Sequence, residues 1–151
     1  FALYSDLCYR SAMKEQCIFC YEGNVGQRIK SGLIAPDAFE HWDLTLNLPS
    51  QRETGRRAAG YFILKQHLGI NDIPDAAIIE AHRRRRDAAR FLCEALALPF
   101  TDQLNINAND GPDAGQQQFH AHIHILPWIP GDMRGGHLAV LDAFAQETRR
   151  R

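Results

Sequence analysis

Apolar and polar residues alternate along three short segments, residues 44–48, 102–108 and 119–126, as they do along half-buried β-strands. The apolar run at residues 61–64 predicts a further strand. Pro49 and Pro127 end the first and last of these segments with turn chemistry. We therefore predict four strands from the pattern, the first two of them an antiparallel pair.

A longer apolar period predicts one long α-helix that begins at Pro74 and Asp75 and ends before Pro99. The residues that recur at helical spacing are Ala77, Ile78, Ala81, Ala88, Phe91, Leu92, Ala95 and Leu96. Cys93 lies on the same apolar side, and we expect it to be a buried small hydrophobic residue. Residues 51–60 hold three Arg, two Gly and few apolar residues, which predicts an exposed and mobile hairpin loop.

The order of these elements, β-β-α-β-β with short connections, predicts an α+β domain with an antiparallel sheet. A chain of 151 residues has the size of one domain, and its 45% hydrophobic and 23% charged residues are typical of globular proteins. No repeat or long Gly/Ser/Pro linker divides it. We therefore predict a single domain over residues 1–151.

The charge of the chain limits its partners. The formal net charge is −1, whereas nucleic-acid-binding domains usually carry a clear basic excess, so we expect no nucleic-acid polymer as a partner. The strongest charge run, Arg83 to Arg86, winds around the predicted helix and indicates a solvated face or, alternatively, an anion or partner patch.

The apolar runs are too short to suggest a membrane protein. None approaches the roughly 20 residues that cross a bilayer. Residues 1–6 also lack the charged start of a signal peptide. We expect a cytoplasmic protein without membrane contact.

Three histidines, His120, His122 and His124, alternate along the last predicted strand. Residues two apart on a strand point to the same face, so the three imidazoles would form a row with steps of about 6.6 Å. Ala121 and Ile123 supply the opposite, apolar face. The row could ligate a metal ion through His-x-His, or a neutral imidazole could act as a nucleophile.

The segment before this strand favours nucleophilic chemistry on a phosphate. Residues 109–118 offer small residues, backbone N–H groups and side-chain amides. Such groups suit a phosphate better than a bare metal ion. A phosphorylated small molecule is therefore the expected substrate.

Residues 109–127, with Ala-Gly-Gln at 114–116, the triple histidine and a final Ile-Leu-Pro, closely resemble the signature of the histidine triad (HIT) superfamily. Residues 17–20, Cys-Ile-Phe-Cys, look like the opening of many members, and residues 60–67 resemble the Gly-His-x-Leu-Val-x-Pro-x-x-His strand. The resemblance covers residues 17 to about 132, which would be the domain core between two extensions. It implies an antiparallel sheet of about five strands, one long helix and a shorter helix.

The resemblance also implies a nucleotide hydrolase or nucleotidyl transferase that acts at the α-phosphate of a nucleoside phosphoramidate or dinucleoside polyphosphate. His122 would be the nucleophile and carry a nucleotidyl intermediate, with His124 at the phosphoryl oxygens or the leaving-group side and His120 as the third member of the triad. The substrate-binding set would be Asn47, Asn109, Gly115, Gln116 and Gln117. Asn47 could instead serve only the turn that follows it.

The four cysteines are too few and too unevenly spaced for a disulfide framework, so we expect reduced thiols. Cys17 and Cys20 have the spacing of half a tetrahedral zinc site. Resemblance to zinc-containing members supplies His67 and His120 as the other ligands of a structural zinc ion, which would leave His122 free. The alternative is ordinary thiols and hydrogen-bonding histidines, and Cys8 is an outside candidate.

Several expectations rest on the family pattern alone or depart from it. Trp128 stands where members often have Arg, and it could stack on a base or pack at a dimer interface. We expect a homodimer with a continuous sheet, and His137 could approach a neighbouring site.

Two other functional classes stay open: a catalytically weak nucleotide-binding module, and a zinc hydrolase that uses metal-bound water.

Overall fold

A computed structural model describes residues 17–20, 32–47, 57–114, 116 and 118–132. The described strands are β1 (Leu33–Ile34), β2 (Trp42–Leu46), β3 (Gly60–Leu64), β4 (Leu104–Asn107) and β5 (His122–Pro127). Helix α1 (Asp75–Ala95) lies between β3 and β4, and short 3-10 turns occupy Ile70–Asp72 and Pro112–Ala114. Within these ranges α1 is the one α-helix, so the expected shorter helix is not among them. No described helix is both long enough and apolar enough to span a membrane.

The five strands form one antiparallel sheet in the order β1-β2-β3-β5-β4. Strand β5 is therefore paired on both sides. In the register of the sheet, His122 pairs with Ile63 of β3. His124 pairs with Tyr61 of β3 on one side and with Asn107 of β4 on the other. The predicted α+β fold with an antiparallel sheet is confirmed, and it includes the short strand β1, which the sequence pattern did not predict.

One face of the sheet packs against α1 and forms the main core. Its buried side chains are Trp42, Phe62, Leu64 and Ile125 from the strands and Ala77, Ala81, Ala88 and Leu92 from the helix. The indole Nε1 of Trp42 donates to the Ala77 carbonyl at 2.8 Å and joins β2 to α1. Strand β3 and α1 approach each other so closely that a Cβ on Gly60 would lie 2.6 Å from Cδ2 of Leu92. The polar site must therefore lie on the opposite face.

The predicted apolar side of α1 is largely confirmed, including the buried Cys93. Burial raises the pKa of the Cys93 thiol. Two positions are wrong: Ile78 is 50% exposed and Ala95 is exposed. Ile78 follows the buried Ala77 directly and is therefore turned about 100° away from it around the helix.

The arginine run is only partly a solvated face. Arg83 and Arg86 are exposed, as expected. The guanidinium of Arg84 instead lies 5.0 Å from the Phe39 ring centre and donates to the Asp87 carboxylate at 2.6 Å. The long Arg84 stem thereby covers the edge of the core.

The predicted exposed loop 51–60 is wrong at its end. Ala58 and Ala59 are fully buried, Gly60 opens β3, and the backbone N–H of Asn47 donates to the Ala59 carbonyl at 2.9 Å. Arg57 donates to the Asp132 carboxylate at 2.8 Å, which anchors this stretch to the segment after β5. The charged residues that precede the two alanines hid their burial in the sequence pattern. Residues 51–56 lie outside the described ranges.

Candidate functional site

The sheet face opposite α1 carries two of the three histidines. The rings of His122 and His124 lie 5.3 Å apart between centroids. Tyr61 of β3 lies beside both, 5.7 Å from His122 and 5.0 Å from His124. The shared face predicted for these two histidines is confirmed. The predicted strand start at residue 119 is wrong, because β5 begins at His122 and His120 precedes it.

His122 is held in one tautomer by its own strand. Its Nδ1 lies 2.9 Å from the His120 carbonyl oxygen, an acceptor, so Nδ1 carries the proton and donates it. The lone pair then resides on Nε2. The side chain is only 7% exposed, and this burial lowers the pKa of His122 from its ordinary 6.5. Near neutral pH the ring is therefore uncharged and has one nitrogen able to attack an electrophile.

His124 is kept neutral in the same way. Burial, and secondarily the nearby His122, lower the pKa of His124 to about 4. Its described ring neighbours are Tyr61 and His122. The site at pH 7 thus presents two uncharged imidazoles side by side, and neither ring has to lose a proton before its unprotonated nitrogen can act as a nucleophile.

The loop before β5 is braced by the side chain of Gln116. Its Oε1 accepts from the Gly111 backbone N–H at 2.8 Å, and its Nε2 donates to the Gln118 carbonyl at 3.0 Å. Gly111 has a φ of +88°, a left-handed conformation that favours glycine. The amide of Gln116 therefore shapes the loop. Whether it also contacts a substrate stays a prediction.

The other predicted substrate residues are placed as follows. Asn47 is buried directly after β2, and Asn109 is half-buried at the start of the loop. The neighbouring Asp110 accepts from Nδ2 of Asn71 at 3.2 Å. Gly115 and Gln117, together with Cys8 and His137, lie outside the described residues.

Four predicted metal ligands form a compact cluster next to this face. Cys17, Cys20, His67 and His120 offer one donor atom each, all within 4.8 Å of one another. Nδ1 of His120 lies 3.4 Å from Sγ of Cys17, 3.5 Å from Sγ of Cys20 and 3.3 Å from Nδ1 of His67. Sγ of Cys20 lies 3.1 Å from Nδ1 of His67.

The three distances to Nδ1 of His120 fit a tetrahedral ion, and the Cys20–His67 distance of 3.1 Å is shorter than the ideal one. A zinc ion with Zn–N bonds of about 2.05 Å and Zn–S bonds of about 2.3 Å separates two nitrogens by about 3.3 Å and nitrogen from sulfur by about 3.6 Å. His120 is also fixed for ligation, because its Nε2 donates to the Leu64 carbonyl at 2.6 Å and turns Nδ1 toward the cysteines. Burial lowers the pKa of His120 to about 4, which favours the neutral, ligating form. The four residues can therefore hold a metal ion.

Two aromatic residues of the site were not recognised from the sequence as neighbours of the histidines. Phe19, between the two cysteines, has its ring 4.9 Å from that of His122 and 5.6 Å from that of Tyr61. Tyr61 occupies the position where the family pattern has His. Two features of the sequence could have indicated these neighbours: Tyr61 departs from the family pattern, and Phe19 lies inside the Cys-x-x-Cys motif.

Comparison with known proteins identifies the domain. Residues 63–130, which include β5 and the loop before it, match the family model described as HIT domain. The chain contains a HIT domain. The predicted membership of the histidine triad superfamily is thereby confirmed.

Solved structures of similar fold include HIT proteins. SMU.412c from Streptococcus mutans has a TM-score of 0.53 and 22% identity over 83% of this chain and 79% of its own. A HIT family hydrolase from Clostridium thermocellum has a TM-score of 0.55 and 20% identity over 79% of this chain and 96% of its own. At such identity these similarities establish the HIT fold and leave the activity open. No curated protein sequence gives a significant match.

Proposed function

We propose that this HIT domain is a nucleotide hydrolase or nucleotidyl transferase that attacks the α-phosphate of a nucleoside phosphoramidate or dinucleoside polyphosphate. The observation that carries the proposal is the hydrogen bond from Nδ1 of His122 to the His120 carbonyl. That bond leaves Nε2 as a free nucleophile on a buried, neutral ring.

In the first step, the Nε2 lone pair of His122 forms a bond to the α-phosphorus while the bond from phosphorus to the leaving nitrogen or oxygen breaks. The His120 carbonyl keeps its hydrogen bond to Nδ1–H and stabilises the positive charge that develops on the ring. In the second step, water or another acceptor attacks phosphorus and releases its proton to solvent, the bond from phosphorus to Nε2 breaks and neutral His122 is restored. A leaving amine takes up the equivalent proton from solvent in the first step. Two easier displacements replace one difficult displacement.

The remaining site residues serve binding and orientation in this proposal. His124, adjacent to His122 on the same face, contacts the phosphoryl oxygens or the leaving-group side. The loop braced by Gln116 presents backbone N–H groups to the phosphate, and Asn47 and Asn109 bind the nucleotide. The substrate is thus a small nucleotide.

We also propose that the ion of the four-donor cluster is zinc and that its role is structural. Two thiols and two imidazoles with tetrahedral spacing suit Zn²⁺, and four protein ligands leave no open coordination position. Bound there, zinc would link residues 17–20 to His67 and His120. A homodimer, in which the edge strand β4 extends the sheet, and a cytoplasmic location remain proposals from the family resemblance.

The proposal is tested by intact-protein mass spectrometry after brief mixing with adenosine and guanosine phosphoramidates and dinucleoside polyphosphates. The wild type should gain one nucleotide, and His122→Gln should gain none while still folding. His82→Ala, an exposed histidine of α1, is the matched control and should behave as the wild type. Nucleotide binding without an adduct or turnover in the wild type would instead indicate a binding module. Turnover that persists in His122→Gln but stops on chelation, with the fold retained, would indicate a zinc hydrolase.

A further inference from the structure

Phe19 connects the metal-ligand cluster to the His122 imidazole. It is 5% exposed and sits between the cluster residues Cys17 and Cys20. Its ring meets that of His122 at 4.9 Å with an interplanar angle of 60°, an edge contact of the kind that aromatic pairs prefer. Phe19 thus contacts the ring of His122, the candidate nucleophile. Cys17 and Cys20, which stand on either side of Phe19 in the sequence, are candidate metal ligands.

The orientation of His122 depends on such ring contacts. Its hydrogen bond to the His120 carbonyl fixes the position of Nδ1, but the ring can still tilt about that anchor. The tilt decides where Nε2 points. Phe19 at 4.9 Å and Tyr61 at 5.7 Å limit this tilt from the sides. A displacement of Nε2 by about 1 Å can reduce a reaction rate by about 100-fold.

The position of Phe19 depends in turn on the cluster. Besides the ring contacts of Phe19, the contacts between residues 17–20 and the sheet, in the part of the chain that the structure describes, include two other kinds. The first is the approach of both sulfurs to His67 and His120. The second is apolar packing on Ile63 and Tyr61. Zinc would convert the first set from weak polar contacts into coordination bonds and so hold the Phe19 ring against His122.

We infer that Phe19 is a positioning residue that makes the orientation of the His122 imidazole depend on metal loading of the Cys17, Cys20, His67 and His120 cluster. The inference rests on the proposed function only where it concerns reaction rate. The dependence of the His122 ring on zinc and on Phe19 can be measured without any substrate.

The experiment compares the full chain with and without one equivalent of Zn²⁺ at fixed pH, as wild type, Phe19→Ala and Phe19→Leu. Ile18→Ala is the matched control, because Ile18 lies between the same cysteines and packs in the same apolar cluster. The first readout is the ¹⁵N spectrum of the His122 ring, which reports tautomer and surroundings. The second is the rate of nucleotidyl adduct formation at saturating substrate together with KM.

Zinc removal from the wild type should shift the His122 signal and slow adduct formation by about 10- to 100-fold with little change in KM. Zinc-loaded Phe19→Ala should show the same shift of the His122 signal and the same loss of rate. Removing zinc from this variant should change the signal and the rate little further. Phe19→Leu, which keeps apolar bulk, should recover part of the rate. Zinc-loaded Ile18→Ala should resemble the wild type.

Two results would overturn the inference: an unchanged His122 signal in zinc-loaded Phe19→Ala, or a zinc effect on His122 as large in Phe19→Ala as in the wild type. If the zinc-free protein is unfolded by circular dichroism, zinc-loaded Phe19→Ala decides alone: an unchanged His122 signal overturns the inference, and a shifted signal supports the positioning role of Phe19. If the wild type forms no adduct with any nucleotide, the proposed function fails, while the ring spectra still decide whether Phe19 couples the cluster to His122.

Discussion

Replacing Cys20 with serine should abolish the stabilisation of this protein by zinc. Sγ of Cys20 lies 3.1 Å from Nδ1 of His67 and 3.5 Å from Nδ1 of His120, so it is close to both imidazole ligands. Serine offers a hard, protonated oxygen where the ion needs a thiolate. Without the Cys20 thiolate, three of the four donors remain, and the site binds zinc much more weakly.

The size of the effect follows from mass action. A ligand that binds only the folded state raises the free energy of unfolding by about 2.7 kcal/mol when its free concentration is 100 times Kd. In a domain of about 150 residues each kcal/mol raises Tm by about 2–4 °C. Zinc should therefore raise the Tm of the wild type by about 5–11 °C under those conditions. Each further tenfold of free zinc should add about 1.4 kcal/mol.

The assay is thermal unfolding of the chelator-treated full chain during a titration with Zn²⁺. Cys93→Ser is the matched control, because Cys93 is also buried but lies on α1, outside the cluster. It should lower Tm at every zinc concentration and keep the zinc-dependent rise, whereas Cys20→Ser should lose that rise. A wild-type Tm that does not respond to zinc would refute the assignment of the cluster, as would an unchanged response in Cys20→Ser.

Three further predictions test the core and the site. Gly60→Ala should lower the free energy of unfolding by about 1–3 kcal/mol in urea melts, because the added Cβ would meet Leu92 and the Thr45 backbone oxygen; a neutral effect would contradict the close packing. Trp42→Phe should cost about 1–3 kcal/mol by removing the donor to the Ala77 carbonyl, and an unchanged urea midpoint would argue against that bond. The acid limb of adduct formation should lie below pH 6.5, because burial lowers the pKa of His122 below its ordinary 6.5 and separately lowers the pKa of His124 to about 4; a limb at or above 6.5 would contradict this burial. The unfolded chain binds these protons at a higher pH than the folded chain, so the free energy of unfolding should fall as pH drops from about 6.5 toward 4.

Local pattern was sufficient to predict most elements that carry the site. Alternation along β5 placed His122 and His124 on one face, and helical spacing placed Ala77, Ala81 and Leu92 on the buried side of α1. These predictions succeeded because the side-chain period of a strand or helix is a local property of the backbone. Of the cluster residues, Cys17 and Cys20 followed from their Cys-x-x-Cys spacing, whereas His67 and His120 were named only through resemblance to zinc-containing relatives.

Long-range packing decided the features that the pattern misjudged. Ala58 and Ala59 are buried because β2 and β3 pair directly, with the Ala59 carbonyl accepting from Asn47, although charged residues precede them. The two-residue strand β1 exists because Leu33 and Ile34 pair with β2, and so short a run carries no periodic signal. Burial at these positions depends on partners that are distant in sequence.

The sequence by itself determined the family signature, the alternation of the histidines and the Cys-x-x-Cys spacing. Only the tertiary structure decided which nitrogen of each histidine faces which partner. The Leu64 carbonyl, 56 positions away in sequence, turns Nδ1 of His120 toward the cysteines, while the His120 carbonyl binds Nδ1 of His122 and leaves its Nε2 free. Two histidines with the same local spacing thus become a metal-ligand candidate and a nucleophile candidate, because hydrogen bonds to fixed backbone oxygens select the tautomer and spacing alone does not.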